Sequence, residues 1–257
     1  MARQMIFKRY EIKFLLTQQQ RKSLERSMWR EHMVPDEWGP STTRSLYLDT
    51  PSWLLARRSI ESPRYKEKLR IRSYVAASAD DEVFLELKKK FSGVVYKRRC
   101  VVSLSRARAL VAMTAAPATQ IEREIAFAAQ RYQPLVPAML VCYEREAYFD
   151  ARNHEFRMTF DHNVRYRTRA LALDVPTFGA PLMSEGYSLL EVKCLGALPL
   201  WLTTWLAENK VYKASFSKYG MAYKHLLLEG ALGSGDAAVC AAEPLPQALV
   251  PFALEER

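Results

Sequence analysis

The stretch that decides the fold reads KLRIRSY over residues Lys68–Tyr74. Three alternate residues in it are basic, namely Lys68, Arg70 and Arg72, and the two residues between them are apolar. Because successive side chains of a β-strand point to opposite faces, this alternation predicts a strand with one basic and one apolar face.

Seven further segments have the same period of two and are predicted to be strands. They are Arg9–Leu16, Arg44–Asp49, Glu82–Lys90, Val94–Ser103, Ala138–Phe149, Phe156–Val164 and Tyr187–Leu195. Helices are predicted between groups of strands, at Gln18–Arg30, Pro51–Ser59, Ser105–Met113, Gln120–Tyr132, Pro199–Asn209 and Ser217–Glu229. Few strands alternate singly with helices, so the pattern predicts an α+β domain with an antiparallel sheet or barrel.

The charged residues of these strands fall mostly on one face and are mostly basic. Examples that share a face are Lys13 with Glu11, Lys88 with Glu86, Lys97 with Arg99, Arg157 with Asp161, and Lys193 with Glu191. One interpretation is a sheet with one solvated face. The other is a barrel with this face inward, which would be a cationic tunnel for an anion with many negative oxygens. Arginine and lysine suit phosphate oxygens, and interspersed carboxylates would hold Mg²⁺ or Mn²⁺.

Composition supports a folded, basic protein. The 257 residues are 49% hydrophobic and carry a net charge of +10, which excludes a wholly disordered chain. Residues 231–257 hold one basic and four acidic residues, so the rest of the chain carries +13. We expect one domain over residues 1–230 and a flexible C-terminal tail over residues 231–257. The sequence has neither the GxGxxG nor the GxxxxGK[ST] motif.

Eight short motifs follow one another in the order found in a known family. They are YEIKF (Tyr10–Phe14), SLYLDT (Ser45–Thr50), KLRIRSY (Lys68–Tyr74), FLELKKK (Phe84–Lys90), YEREAYF (Tyr143–Phe149), RMTFD (Arg157–Asp161), LLEVK (Leu189–Lys193) and SKY (Ser217–Tyr219). This succession resembles the VTC domain, the polyphosphate polymerase branch of the triphosphate tunnel metalloenzymes. The resemblance implies a closed eight-stranded antiparallel β tunnel with flanking helices, which binds a triphosphate lengthwise.

The resemblance also implies roles for individual residues. The phosphate-binding, catalytic cations would be Lys13, Arg70, Arg72, Lys88, Arg145 and Arg157. Further substrate contacts are expected from Lys193, Lys218, Lys97 and Arg99. Glu191 would be the main metal ligand, and Glu86 either a second ligand or an ion-pair partner for a basic residue.

Three charged residues, Arg145, Asp161 and Arg9, need a separate interpretation. Arg145 has the parity of the apolar Val141 and Tyr143, so a bulge or a local switch of face is expected there. Asp161 is expected to pair with Arg157 or Arg165. The related phosphatases begin with Glu-x-Glu-x-Lys, and Arg9 stands at the first glutamate, which disfavours a second metal.

The implied reaction moves the γ-phosphoryl group of ATP onto a growing polyphosphate chain, with Mn²⁺ or Mg²⁺. ATP and inorganic polyphosphate are the expected partners, and no nucleic acid is expected. The alternatives are a metal-dependent tripolyphosphatase or nucleoside triphosphatase, and a polyphosphate-binding module without activity. A nucleic-acid-binding protein is indicated only by the net charge.

The chain has no apolar signal core at its N-terminus and no run of about 18 apolar residues, so a cytoplasmic location is expected. Eukaryotic relatives carry membrane helices after this domain. We expect any translocation of product to need a separate membrane partner.

Overall fold

A computed structural model of the protein describes residues 10–61, 63–92 and 94–230. Its strands are β1 (Tyr10–Thr17), β2 (Met33–Pro35), β3 (Ser41–Asp49), β4 (Tyr65–Ser73), β5 (Glu82–Phe91), β6 (Val94–Ser103), β7 (Val136–Asp150), β8 (Asn153–Arg167), β9 (Ala180–Pro181) and β10 (Tyr187–Cys194). Its helices are α1 (Gln18–Arg30), α2 (Leu54–Glu61), α3 (Leu104–Val111), α4 (Gln120–Arg131), α5 (Leu200–Glu208) and α6 (Lys218–Leu228). The expected C-terminal tail lies outside the described residues.

The α+β class and the antiparallel sheet with flanking helices are confirmed. In the described part of the chain the sheet has ten strands, eight of which correspond to the predicted ones, and β2 and β9 are two short additions. Closure of the sheet into a tunnel stays a prediction. None of the described helices is long and apolar enough to cross a membrane.

The single domain expected over residues 1–230 stays a prediction. Contacts divide the chain into two compact units. The first unit comprises the chain up to Thr43, Val141–Tyr166 and Thr177–Met221. The second comprises Arg44–Leu140, Arg167–Pro176 and the chain from Ala222. Strands β3, β7 and β8 and helix α6 contribute residues to both.

In the first unit, β10 pairs with β1 on one side and with β8 on the other. Residues of even number on these strands point into a hydrophobic core, where Leu190 and Phe160 are fully buried. Helix α1 covers this core with Leu24 and Met28. It begins with a capping box between Thr17 and Gln20, as the sequence predicts for Thr17. Residues of odd number therefore point to the opposite face, which carries the charges.

In the second unit, β3, β4, β5 and β6 pair in that order. Leu69, Ile71, Leu85 and Leu87 are buried on one face, and α3 and α4 contact β5 and β6. The opposite face of β4–β6 carries four successive rows of side chains. These rows contain eight basic residues, namely Lys66, Lys68, Arg70, Arg72, Lys88, Lys90, Lys97 and Arg99, and one acidic residue, Glu86.

Candidate functional site

The first unit holds a pair of acidic side chains in contact with three basic ones. We call this group the Glu191 cluster; its members are Glu191, Asp161, Lys13, Arg145 and Lys218. Lys13 Nζ lies 3.0 Å from Glu191 Oε1, and Lys218 Nζ lies 3.2 Å from the same oxygen. Arg145 joins the two carboxylates: its Nε is 2.6 Å from Asp161 Oδ1 and its Nη2 is 3.1 Å from Glu191 Oε2. Lys218 also donates to Asp161.

Burial makes these contacts strong. Asp161, Glu191 and Lys218 are all buried. Burial alone would raise the pKa of Glu191, but the charges of Lys218, Lys13 and Arg145 hold it well below its usual value. Burial would likewise lower the pKa of Lys218, and the two carboxylates raise it instead. Glu191, Arg145 and Lys218 are therefore charged at neutral pH. The cluster as a whole has three basic side chains for two acidic ones.

Two elements outside the strands position the lysines of the cluster. Lys13 Nζ donates to the carbonyl oxygen of Phe216 at 3.0 Å, which ties β1 to the segment before α6. Lys218 is the first residue of α6, and the Ser217 hydroxyl accepts a hydrogen bond from Gly220 N at 3.0 Å as an N-cap does. The start of α6 thus fixes the buried ammonium group of Lys218.

The expected bulge at Arg145 is not needed. The guanidinium of Arg145 lies 5.2 Å from the centre of the Tyr143 ring, and Lys218 Nζ lies 4.5 Å from it. Tyr143 therefore shares the charged face and supplies a π surface to two cations. Glu144 and Glu146 take the other face, where Glu146 binds Arg21.

The pairing expected for Asp161 with Arg157 or Arg165 is wrong, because its partners are Arg145 and Lys218. Residues four apart on a strand are about 13 Å apart, too far for an ion pair. Arg157 is exposed and donates to the carbonyl of His154 at 3.4 Å. It lies opposite Lys193 in the register of β8 and β10, one row beyond Glu191.

The second unit holds a carboxylate surrounded by four basic side chains. We call this group the Glu86 cluster; its members are Glu86, Arg70, Arg72, Lys97 and Arg99. Glu86 is buried, and its oxygens lie 2.7 Å from Arg70 Nε, 2.6 Å from Lys97 Nζ and 2.5 Å from Arg99 Nε. Arg72 Nε is 4.0 Å away.

Neighbouring polar and aromatic groups fix the arginines of this cluster. Arg70 donates to the Tyr47 hydroxyl at 3.1 Å and Arg72 donates to Ser45 Oγ at 3.1 Å. The guanidinium of Arg99 lies 4.2 Å from the centre of the Phe84 ring. The forks of these arginines are thus held on one face of the sheet, with more donors than the single carboxylate accepts.

Burial and the neighbouring charges shift the pKa values of Glu86 and Lys97. Burial alone would raise the pKa of Glu86, but Arg70, Arg72 and Lys97 hold it far below its usual value. Partial burial and the nearby arginines lower the pKa of Lys97 to about 8, although Glu86 acts in the opposite direction. Lys88 lies in the next row, between Lys68 and Lys97.

Two carboxylates of the first unit are suited to supply part of the ligands of a divalent metal ion. Glu191 and Asp161 both contact Arg145 and Lys218, so their oxygens lie close together. Over the described ranges no group of three or more His, Cys, Asp or Glu side chains could hold an ion alone. Mg²⁺ is commonly bound by one or two carboxylates together with phosphate oxygens and water. The residues present therefore suit an ion that arrives with a phosphate. Glu86 makes the ion pairs that one interpretation expected, and its metal role stays a prediction.

Three residues of this face were not singled out by the sequence as site residues: Asp161, Tyr143 and Thr159. Thr159 lies directly opposite Glu191 in the register of β8 and β10. Its hydroxyl is buried and has no hydrogen-bond partner within the described part of the protein. In the sequence, Thr159 could have been found only by its position on β8, because it shares a face of that strand with Arg157 and Asp161. A buried, unpaired hydroxyl beside Glu191 is suited to contact a bound phosphate or its metal.

Comparisons with known proteins give matches over most of the chain. The sequence model of the VTC domain family matches residues 8–227. No protein with a curated description matches the sequence. A solved structure from Vibrio parahaemolyticus, provisionally assigned as an adenylate cyclase, is 12% identical with a TM-score of 0.46, over 86% of this chain and 98% of that one. A similarly assigned structure from Bacillus halodurans is 14% identical with a TM-score of 0.48, over 82% and 95%.

Proposed function

The chain belongs to the VTC domain family, and from this premise we propose that it is an ATP-dependent polyphosphate polymerase. The observation that carries the proposal is the excess of fixed cations on two faces, each organised around buried carboxylates. The Glu86 cluster has four cations for one carboxylate, and the Glu191 cluster has three for two. A linear polyanion is the ligand that such faces would bind best.

The buried carboxylates organise the cations before the ligand arrives. Glu86 aligns two arginines and Lys97, and Glu191 with Asp161 aligns Lys13, Arg145 and Lys218. Donors that are already oriented need little reorganisation when charge develops on a transferring phosphoryl group. Arg70, Arg72 and Arg99 are therefore proposed to bind phosphate oxygens through the forked guanidinium groups that are held around Glu86.

The proposed reaction is an in-line phosphoryl transfer. A terminal oxygen of the polyphosphate attacks the γ-phosphorus of ATP, a new P–O bond forms, and the bond between this phosphorus and the β–γ bridging oxygen breaks to release ADP. Charge spreads over the three other oxygens of the transferring group, which the cations stabilise. Holding donor and acceptor in line supplies much of the acceleration, so no covalent nucleophile is required.

A divalent ion, Mn²⁺ or Mg²⁺, is proposed to accompany the nucleotide. Glu191 and Asp161 would hold it, and it would neutralise charge on the phosphate oxygens. Closure of the sheet into an eight-stranded tunnel, a cytoplasmic location and a separate membrane partner belong to the same proposal.

The test is to incubate the purified full chain with ATP and Mn²⁺ and to measure both long-chain polyphosphate and free phosphate. We expect polyphosphate and ADP, with rates lowered on the order of 100-fold in Arg70→Ala and Glu191→Gln because each removes a preorganised charge. The matched control is Arg98→Ala. Arg98 follows Lys97 on β6 but points to the other face, where it pairs with Glu124 at 2.7 Å.

The outcomes separate the alternatives. Free phosphate without polymer, lost in the same two variants, would replace the polymerase with a tripolyphosphatase or nucleoside triphosphatase. Tight binding of polyphosphate without any turnover would replace it with a binding module. Equal losses in Arg98→Ala would show that the variants report on net charge and not on the two clusters.

A further inference from the structure

The end of the hairpin formed by β5 and β6 carries apolar and basic side chains on both of its faces. Three consecutive rows across β4, β5 and β6 make up this hairpin end. The rows are Tyr65–Phe91–Val94, Lys66–Lys90–Val95 and Glu67–Lys89–Tyr96. Apolar and basic side chains dominate them, and none of the residues assigned to the reaction is among them.

The apolar side chains of the hairpin end are exposed. Phe91 is 52%, Val94 38%, Val95 45% and Tyr96 49% exposed to solvent. Phe91 packs on Tyr65 with 6.5 Å between ring centres, and this contact leaves half of its surface in water. Four large apolar side chains on one hairpin end exceed the scattered single exposures that are normal for a surface.

Basic groups lie on both faces of the hairpin end: Lys89 shares a face with Phe91, Val94 and Tyr96, and Lys66 and Lys90 share the other face with Val95. Lys90 is exposed in the middle row, and Arg64 is exposed where its carbonyl oxygen accepts a hydrogen bond from Ser92 N at 2.8 Å. Partial burial and, to a smaller extent, the charge of Lys90 lower the pKa of Lys66. The one acidic residue of the three rows, Glu67, is buried and accepts a hydrogen bond from Tyr132. The exposed surface of the hairpin end is therefore apolar and positive.

We propose that the hairpin end docks on the surface of an anionic lipid bilayer. Such a surface offers negative headgroups to the basic residues and an apolar layer to Phe91, Val95 and Tyr96. Polyphosphate complements only the basic residues, because it has no apolar surface. The apolar side chains thus favour lipid over a second polyanion-binding surface. This inference is independent of the proposed polymerase activity.

The test is co-sedimentation of the full chain with vesicles of 70% phosphatidylcholine and 30% phosphatidylserine, compared with pure phosphatidylcholine. We expect binding to the anionic vesicles and at least roughly tenfold weaker partitioning on neutral ones. Binding weakens in 0.5 M salt, because salt screens the basic residues. The triple variant Phe91→Ser/Val95→Ser/Tyr96→Ser and the double variant Arg64→Gln/Lys90→Gln each lower partitioning on the order of tenfold.

Matched controls change exposed residues of the same kinds in the first unit. Trp38→Ser/Leu200→Ser removes two apolar side chains that are about 80% exposed, and Arg26→Gln/Arg30→Gln removes two exposed charges of α1. Neither control changes vesicle binding. Circular dichroism establishes that every variant is folded, and polyphosphate binding of the apolar triple variant stays at the wild-type level.

Several outcomes would overturn the docking proposal. One is the absence of binding to anionic vesicles. Another is a triple variant that binds vesicles as tightly as the wild type while Arg64→Gln/Lys90→Gln loses both vesicles and polyphosphate, because the hairpin end would then be a general polyanion surface. A third is self-association in sedimentation velocity, abolished by the triple variant, with no vesicle binding.

Discussion

Lys97 is the member of the Glu86 cluster whose charge changes close to neutral pH. Its ammonium group lies 2.6 Å from Glu86, which favours the charged form. Partial burial and the charges of Arg99 and Arg70 outweigh that contact and lower its pKa to about 8. Lys97 is thus protonated below this pH and loses its charge as the pH rises above it. The arginines of the same cluster stay charged throughout, since a guanidinium is not deprotonated in this range.

We therefore predict a pH dependence of polyanion binding that belongs to Lys97. In the wild type, the affinity for tripolyphosphate falls by up to about tenfold between pH 7 and pH 9, because binding requires a proton that Lys97 loses. In Lys97→Arg the charge persists, and the fall is smaller. Isothermal titration calorimetry at pH 7, 8 and 9 measures the difference between the two proteins, which cancels the titration of the ligand itself. Parallel pH profiles would contradict the prediction.

The sequence predicted on which face of a strand individual residues lie, but it did not predict which residues they contact. Period-two alternation correctly placed Arg70, Arg72 and Glu86 on one face, because that rule depends only on positions along one strand. The partners of Asp161 lie on β7 and at the start of α6, which are separated from it by 16 and 57 residues. A one-dimensional pattern carries no register between strands, so Lys218 was identified only through a family motif and its burial was not foreseen.

Strand β7 is an element in which alternation does not reveal the face on which each residue lies. Six consecutive residues of β7, Ala138 to Tyr143, are buried. A strand covered on both faces loses the polar half of its pattern, so parity no longer tells which face is which. The parity that Arg145 shares with Val141 and Tyr143 therefore did not reveal that Tyr143 faces Arg145 and Lys218. Very short elements fail for a different reason: β2 and β9 have three and two residues, too few for any period to be visible.

The start of helix α6 gives a prediction that distinguishes the placement of Lys218 from the stability of the whole protein. In Ser217→Ala the hydrogen bond to Gly220 N is lost, and we expect the free energy of unfolding to fall by about 1 kcal/mol. Activity falls as well, because the first turn of α6 fixes Lys218 between Asp161 and Glu191. Urea unfolding and the polymerase assay measure the two effects on the same protein.

Thr119→Ala is the matched control for this prediction. The Thr119 hydroxyl caps α4 by accepting from Glu122 N at 3.2 Å, and no residue of either cluster lies in that helix. We expect a similar loss of stability with unchanged activity. If both variants lost activity in proportion to stability, the cap at Ser217 would have no positioning role. If Ser217→Ala kept full activity, the placement of Lys218 would not depend on the cap.

For the whole molecule, charge was the most informative property of the sequence. The net charge of +10 indicated an anionic partner but not where it binds. The structure gathers eight basic residues in four rows of β4–β6 and gives this face a single carboxylate. Alternation predicted the α+β class for a related reason, because strands with one charged and one apolar face need a sheet with a covered side. The division into two units was not visible, since each unit is assembled from separate stretches of the chain.

From the excess of fixed cations we also predict that a bound polyanion stabilises the whole protein. Like charges on the β4–β6 face repel one another in the free protein, and a bound polyanion offsets that repulsion. Tripolyphosphate at 100 times its Kd stabilises the folded state by about 2.7 kcal/mol, which raises Tm by roughly 5–10 °C for a chain of this size. Differential scanning calorimetry of the full chain measures the shift. Sulfate at the same ionic strength is the control, because it screens charge without spanning several rows. A shift that sulfate reproduces, or one that survives in Arg70→Ala/Arg99→Ala, would mean that screening and not a site on this face stabilises the protein.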